Sequence, residues 1–217
     1  MKTDAQLKTD ILAELEWDPA VKATDVGVIV KDGVVTLTGH LHSYAEKFAV
    51  EHAAQRVHGV TALAVEMKVS LAAAYERSDA DIALAVERAL EWSVLVPDGQ
   101  IHPIVEGGWV TLSGTVAWDF QRHAAERAVC DLLGVLGVTN MVTIEPKVSS
   151  AVVEQDIHDA LARQADRQAK HVHVAVSGSQ VTLRGKVHSW AERTAAHNAA
   201  WSAPGVALVM NELVVEA

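Results

Sequence analysis

Val35-Thr36-Leu37-Thr38-Gly39, Val110-Thr111-Leu112-Ser113-Gly114 and Val181-Thr182-Leu183-Arg184-Gly185 are one phrase written three times. Their first residues lie 75 and 71 positions apart. Self-similarity at a fixed period decides an architecture before any local reading does, and a period this long marks a repeated small domain, not a solenoid rung.

The likeness extends outward from the phrase. Upstream, apolar residues recur every four positions: Leu7, Ile11, Leu15; then Ile82, Val86, Leu90; then Val153, Ile157, Leu161. That spacing stacks them on one face of a helix. Downstream lies an alanine-rich helical stretch, with Ala49 and Ala53, Ala124 and Ala128, Ala195 and Ala199. It stops at Gly59-Val60, Gly134-Val135 and Gly205-Val206, where glycine ends a helix. An alternating segment follows in each copy, carrying Leu63, Met67, Val69; Val138, Val142, Ile144; and Val209, Leu213, Val215.

Each copy therefore reads helix, strand, strand, helix, strand. The first strands fall near 25–30, 99–105 and 171–177, the second near 34–42, 109–117 and 180–188. Asp32-Gly33, Gly107-Gly108 and Gly178-Ser179 between them are hairpin-turn residues. The second helix then returns the chain to a third strand, parallel to the second, by a right-handed crossover. The expected fold is α+β: three tandem two-layer αββαβ domains at 1–70, 77–146 and 149–217. Each has a three-stranded mixed sheet with two helices on one face.

Half the residues are hydrophobic, which excludes a disordered chain. Units of roughly 70 residues are small for independent stability, so the helix stripes must bury well or lean on neighbours. The alanine-rich linker at 70–77 predicts a helical extension, and the second linker, near Pro146–Ser150, is short. No basic segment leading into an apolar core opens the sequence. This predicts a cytoplasmic location, with a peripheral position at the inner membrane left open. The one cysteine, Cys130, fits a reducing compartment and reads as a surface or packing thiol.

The formal net charge of −10 is uneven: −7 falls within residues 71–146, whereas 147–217 balances seven acids with seven bases. An acidic surface argues against nucleic acid as a partner. No Gly-x-Ser-x-Gly, phosphate loop, His-Glu-x-x-His or metal-spaced cysteine pair occurs, so neither catalytic residues nor a cofactor are expected. Asp4, Asp79 and Asp81 near helix starts are accounted for by the helix dipole.

Gly39, Leu41, Ser43, Ala45, Glu46, Gly59 and Val60 form a pattern repeated at Gly185, Val187, Ser189, Ala191, Glu192, Gly205, Val206 and Asn211. The pattern resembles the BON domain. The middle copy keeps Gly114, Val116, Gly134, Val135 and Asn140 but has Trp118 for the serine and Gln121 for the glutamate. Ser43/Glu46 and Ser189/Glu192 have capping-box spacing, and the glycines before them leave room for a closely approaching helix. These residues build the fold. The resemblance implies a non-enzymatic, envelope- or osmotic-stress-related module, some relatives of which associate with anionic phospholipid.

Period-two alternation turns Val35, Leu37, Gly39 and Leu41 toward the helices and Thr36, Thr38, His40 and His42 away. By the same rule His102, His171, His173 and His188 fall on sheet faces that two layers leave uncovered. Two readings stand side by side. One is a solvated or domain-contacting polar face, with a pH-sensitive interface as a further use of it. The other is a metal site at His40 and His42 or at His171 and His173, whose Cα atoms in a His-x-His strand lie roughly 6–7 Å apart.

Trp109, Trp118, Phe120, Trp190 and Trp201 are candidate interface residues, with Trp109 and Trp201 exposed by pattern. Packing between the three units is the alternative use for them. Arg184 and Lys186 are the candidates for an anionic lipid surface. The sequence thus points to a protein of binding and assembly, a homo-oligomer or the partner of another protein, with anionic phospholipid as the runner-up.

Overall fold

The structure, a computed structural model, describes residues 2–145, 172–203 and 205–215. Among these are nine strands in three sheets of three. In the first repeat α1 (Asp4–Trp17) precedes β1 (Val26–Lys31), β2 (Val34–Leu41), α2 (Tyr44–Arg56) and β3 (Ala62–Val69). The second repeat has α3 (Asp79–Glu91), β4 (Ile101–Glu106), β5 (Trp109–Val116), α4 (Asp119–Cys130) and β6 (Gly137–Ile144). In the third, β7 (Val172–Ser177), β8 (Gln180–Val187), α5 (Trp190–Trp201) and β9 (Leu208–Val215) repeat the order. The expected stripe at Val153, Ile157 and Leu161, with His171 and the second linker, lies outside the described residues.

Each sheet puts its middle strand between the other two. β4–β5 and β7–β8 are antiparallel hairpins, while β6 and β9 run parallel to β5 and β8. In the first repeat β1–β2 is antiparallel. Thr61 N donates to Gly33 O (3.0 Å) and Ser70 N to Leu41 O (2.8 Å), so β3 follows β2 in direction. This is the αββαβ pattern, a repeated α+β sandwich.

The core sits between the sheet and its helices. In the second repeat Ile82, Val86 and Leu90 of α3 and Ala124, Ala125 and Val129 of α4 meet Ile101, Val110, Leu112, Val116 and Val142 of the sheet. Leu37, Leu112 and Leu183, the centres of the three phrases, are wholly buried. A leucine at such a site is worth about 2–5 kcal/mol over alanine. By contacts the described residues group into two compact units. One takes 2–39, 49–66 and the third repeat; the other takes 40–48 and 67–145.

Three expectations need correction. The linker at 70–77 is not a helical extension: only a 3-10 turn, Ala73–Tyr75, forms, and Ala72 and Glu76 on either side are extended. The glycine that ends each phrase does not serve helix approach. Gly39 and Gly114 have φ of +146° and +135°, and a Cβ there would strike the carbonyl oxygens of Asp25 and Gln100, just before the hairpin partner strand. Only glycine meets both demands. Asp4 and Asp79 do more than complement a dipole. Asp4 accepts from Asp32 N (2.9 Å) and Gly33 N (3.2 Å), and Asp79 from Gly107 N and Gly108 N (both 2.8 Å). Each carboxylate ties the first helix of its repeat to the hairpin turn.

Candidate interaction surfaces

The face of each sheet turned away from the helices is where the sequence places its polar and histidine side chains. In the second repeat this face carries His102 and Ile104 of β4, Trp109, Thr111, Ser113 and Thr115 of β5, and Thr139, Met141 and Thr143 of β6. The burial alternation along each strand sets it. Trp109 lies across Gly137, its partner in the parallel register, and a Cβ at that glycine would run into the indole. The indole Nε1 donates to Thr139 Oγ1 at 2.8 Å. Thr115 and Thr143 share a hydroxyl contact of 3.1 Å, and Thr143 also donates to Gly114 O. Trp109 is thereby fixed, yet 45 % exposed, on one face with exposed Ile104 and Met141.

The other predicted aromatics have different fates. Phe120 is half exposed at the start of α4, and Trp118, half-buried, is the residue before that helix. Trp190 is half-buried at the start of α5, and its Nε1 donates to Thr61 O of the first repeat at 3.1 Å. The Arg193 guanidinium sits over its ring, 4.9 Å from the centroid, a cation–π contact. Trp190 is thus used between two repeats within one compact unit. Trp201 overturns its expectation: it is 7 % exposed, not on the surface. It stands edge-on to His197, with its Nε1 3.1 Å from His197 Nε2.

Two exposed tryptophans escaped the sequence reading. Trp17 and Trp92 are 84 % and 90 % exposed, and both end a Leu-Glu-Trp triplet whose leucine is buried. Two positions beyond a buried helical residue is about 200° around the helix, so the triplet carried the signal.

The histidines of the sheet faces, His40, His42, His102, His173 and His188, are all exposed. Among the described residues no three His, Cys, Asp or Glu side chains come together as metal ligands. His58 and His188 do meet, with ring centroids 5.7 Å apart. Arg184 is engaged by Glu212 at 2.6 Å on the outer face of the third sheet, while Lys186 is exposed beside it. No helix among the described residues is long and apolar enough to cross a membrane.

The helix starts show how the motif residues work. Ser43 Oγ accepts from Glu46 N and Ser189 Oγ from Glu192 N, both at 3.1 Å. The glutamates reach one residue farther back than a capping box requires, to His42 N (3.1 Å) and His188 N (2.8 Å). In the second repeat the hydroxyl is missing, and Gln121 Oε1 accepts from both Ala117 N and Trp118 N at 3.1 Å.

Asn140 and Asn211 bind the third strand to the second helix. Their side-chain amides donate to Arg122 O (2.9 Å) and Arg193 O (3.5 Å), and their oxygens accept from Val142 N and Leu213 N.

One charged cluster belongs to the second repeat alone. Asp119, only 6 % exposed, meets Arg122 at 2.5 Å and His123 at 3.3 Å, and His123 lies 3.7 Å from Glu126. Bonding to Asp119 first, then to Glu126, pushes His123 up to about 9, and the same histidine holds Glu126 below the usual carboxylate range. Burial pushes the Cys130 thiol up to about 12, helped by the charges of Glu126 and Asp131. Cys130 is a packing thiol that stays protonated at neutral pH.

Comparison with solved structures finds CdsD, a structural protein of the Type III secretion system of Chlamydia trachomatis. It has 17 % identity and a TM-score of 0.26, over 97 % of this chain and 92 % of that one. A second match, to the C-terminal domain of CdsD, has 15 % identity and a TM-score of 0.27 over the whole of both chains. Scores this low carry no argument about arrangement or role. No curated protein matches. The BON domain model matches residues 3–70, 78–146 and 149–217, nearly the whole sequence. With the capped helix starts, the left-handed glycines and the mixed sheets recurring in register, the chain belongs to the BON domain family, as three tandem copies.

Proposed function

We propose that this triple-BON chain works by binding and assembly, without catalysis, associating with further copies of itself or with another protein through its uncovered sheet faces. One observation carries the reading: Trp109, pinned by Thr139 and Gly137, stays exposed on the same face as Ile104 and Met141. An indole already ordered loses little side-chain entropy on docking, and aromatic and methionine side chains are enriched in protein interfaces. The stress-related role implied by the family likeness is part of this proposal.

The anionic-phospholipid alternative rests on Arg184 and Lys186, and it loses strength because Arg184 is paired with Glu212. Multi-angle light scattering over a range of concentrations tests the preferred reading. The wild type is expected to run above monomer mass, and Trp109→Ser with Met141→Ser to return it toward monomer. A monomer that floats with anionic vesicles replaces this reading with the lipid one. A monomer that ignores vesicles overturns both.

A further inference from the structure

We propose that His58 and His188 form a binding site for a divalent transition-metal ion, Zn2+ foremost, at the contact between the first and third repeats. The two histidines are 130 positions apart in the chain and belong to different repeats. His58 follows α2, and His188 follows β8. Their ring centroids are 5.7 Å apart, with planes tilted by 37°.

The geometry suits a shared ion. A tetrahedral zinc with Zn–N bonds of ~2.0–2.1 Å separates the centroids of two bound imidazoles by roughly 5 Å. The observed separation is slightly larger, and both side chains are exposed, so small side-chain rotations close the difference at little cost. Imidazole is a ligand for zinc, copper and nickel and a poor one for magnesium or calcium, which fixes the class of ion. Water would complete the coordination.

The anchoring beneath the pair is independent of either ring. His188 N is held by Glu192 Oε2 at 2.8 Å, which sets the backbone that carries one ligand. Thr61, three residues after His58, accepts the indole N–H of Trp190, two residues after His188. The hydrogen bond and the histidine pair thus span the same two segments, so an ion bridging the rings reinforces a contact already present. The strand pairs give less support. His40 and His42 come from one strand end, and since neither that pair nor His58 with His188 has a third protein ligand among the described residues, the assignment rests on the ring contact across two repeats.

Zinc titration of the full chain by isothermal calorimetry at pH 7.5 tests the site. The wild type is expected to show a binding event that is absent from both His58→Ala and His188→Ala and preserved in the His40→Ala, His42→Ala double variant. Zinc is also expected to raise the melting temperature of the wild type and not of either single variant, since a ligand that favours the assembled state stabilises it. Circular dichroism checks that the variants fold, and His58→Gln and His188→Gln replace any that do not. Retention of the full wild-type stoichiometry by the folded single variants overturns the proposal. So does transfer of the loss to the strand-pair variant.

Discussion

The starts of α4 and α5 are the same place in two copies of one domain, and they solve one physical problem in two ways. At α5, Ser189 caps with its hydroxyl, Glu192 folds back, and the first helical residue, Trp190, reaches out to Thr61 of another repeat. At α4 no hydroxyl is present: Gln121 N donates instead to Trp118 O at 3.1 Å, while the Gln121 amide oxygen folds back as Glu192 does. The first helical residue, Asp119, stays within α4 as a buried carboxylate beside Arg122 and His123. The backbone demand is constant: exposed N–H groups at a helix start need acceptors. What varies is where the first side chain spends itself, in contact between repeats or in fastening its own helix.

The largest expected effect breaks the internal solution. Asp119→Ala leaves the partly buried Arg122 and His123 without their shared counter-ion, and it should cost about 2–4 kcal/mol in the second repeat. Trp190→Ala removes one hydrogen bond and one cation–π contact at a place already half open, and should cost about 1–2 kcal/mol. Urea unfolding of the two variants separates them. Equal losses would mean that the buried carboxylate is no more costly to remove than the contact between repeats.

A smaller effect sharpens the contrast through pH. His123 faces Asp119, Arg122 and Glu126 on its own helix, and Asn140 of β6 bonds to Glu126 at 3.4 Å. Its folded pKa, about 9, lies above the unfolded value near 6.5, so its contribution is whole below pH 6.5 and fades as pH rises through 9. Glu126 acts oppositely: its pKa is lowered, so its contribution is present above about 4.5 and lost on acidification through the folded value. The cluster should therefore be strongest between about pH 4.5 and 6.5. His123 is nearly half exposed, and screening by water and salt limits the loss at alkaline pH to about 1 kcal/mol. Denaturation midpoints of wild type and His123→Gln at pH 6 and pH 9.5 measure it. The two proteins should converge at the higher pH, and a constant gap would remove the histidine's charge from the account.

Much of this architecture is legible in sequence because it rests on period. The stripe Ile82, Val86, Leu90 and the phrase around Leu112 each state a face, and both faces are buried as read. What fails to show is anything fixed by contact at long range. The phrase glycines are visible as glycines, but the carbonyls of Asp25 and Gln100 that exclude a side chain arrive from the neighbouring strand. Asp79 sits at a helix start in the sequence, while the turn it clamps, Gly107-Gly108, is 28 residues away. Trp201 reads as exposed by pattern, yet it is buried, as is Cys130. His58 carries no local signal at all, since its partner is in another repeat. Trp17 and Trp92 are the opposite case: the helical period that identified the buried leucines also pointed these rings outward.

The smallest effect asks whether the missing hydroxyl at α4 matters. Replacing Trp118 changes two things together, because the side chain is half-buried and its loss gives up packing. Comparing Trp118→Ser with Trp118→Ala cancels the packing term, as both remove the indole and differ by one oxygen. If the helix start of the second repeat can adopt the arrangement at Ser43 and Ser189, serine should be the more stable of the two by about 1 kcal/mol, the usual worth of an N-cap hydroxyl. Adding Gln121→Glu to the serine variant should widen that gap, because a carboxylate at the helix start is favoured by the dipole as well as by its hydrogen bonds. No difference between serine and alanine would mean that Gln121 N, already bonded to Trp118 O at 3.1 Å, leaves nothing for a hydroxyl to add. The departure at Trp118 would then be a complete alternative start, in which a backbone carbonyl takes the N–H that serine takes elsewhere and Gln121 keeps the fold-back bonds, and not a weakened copy of its neighbours.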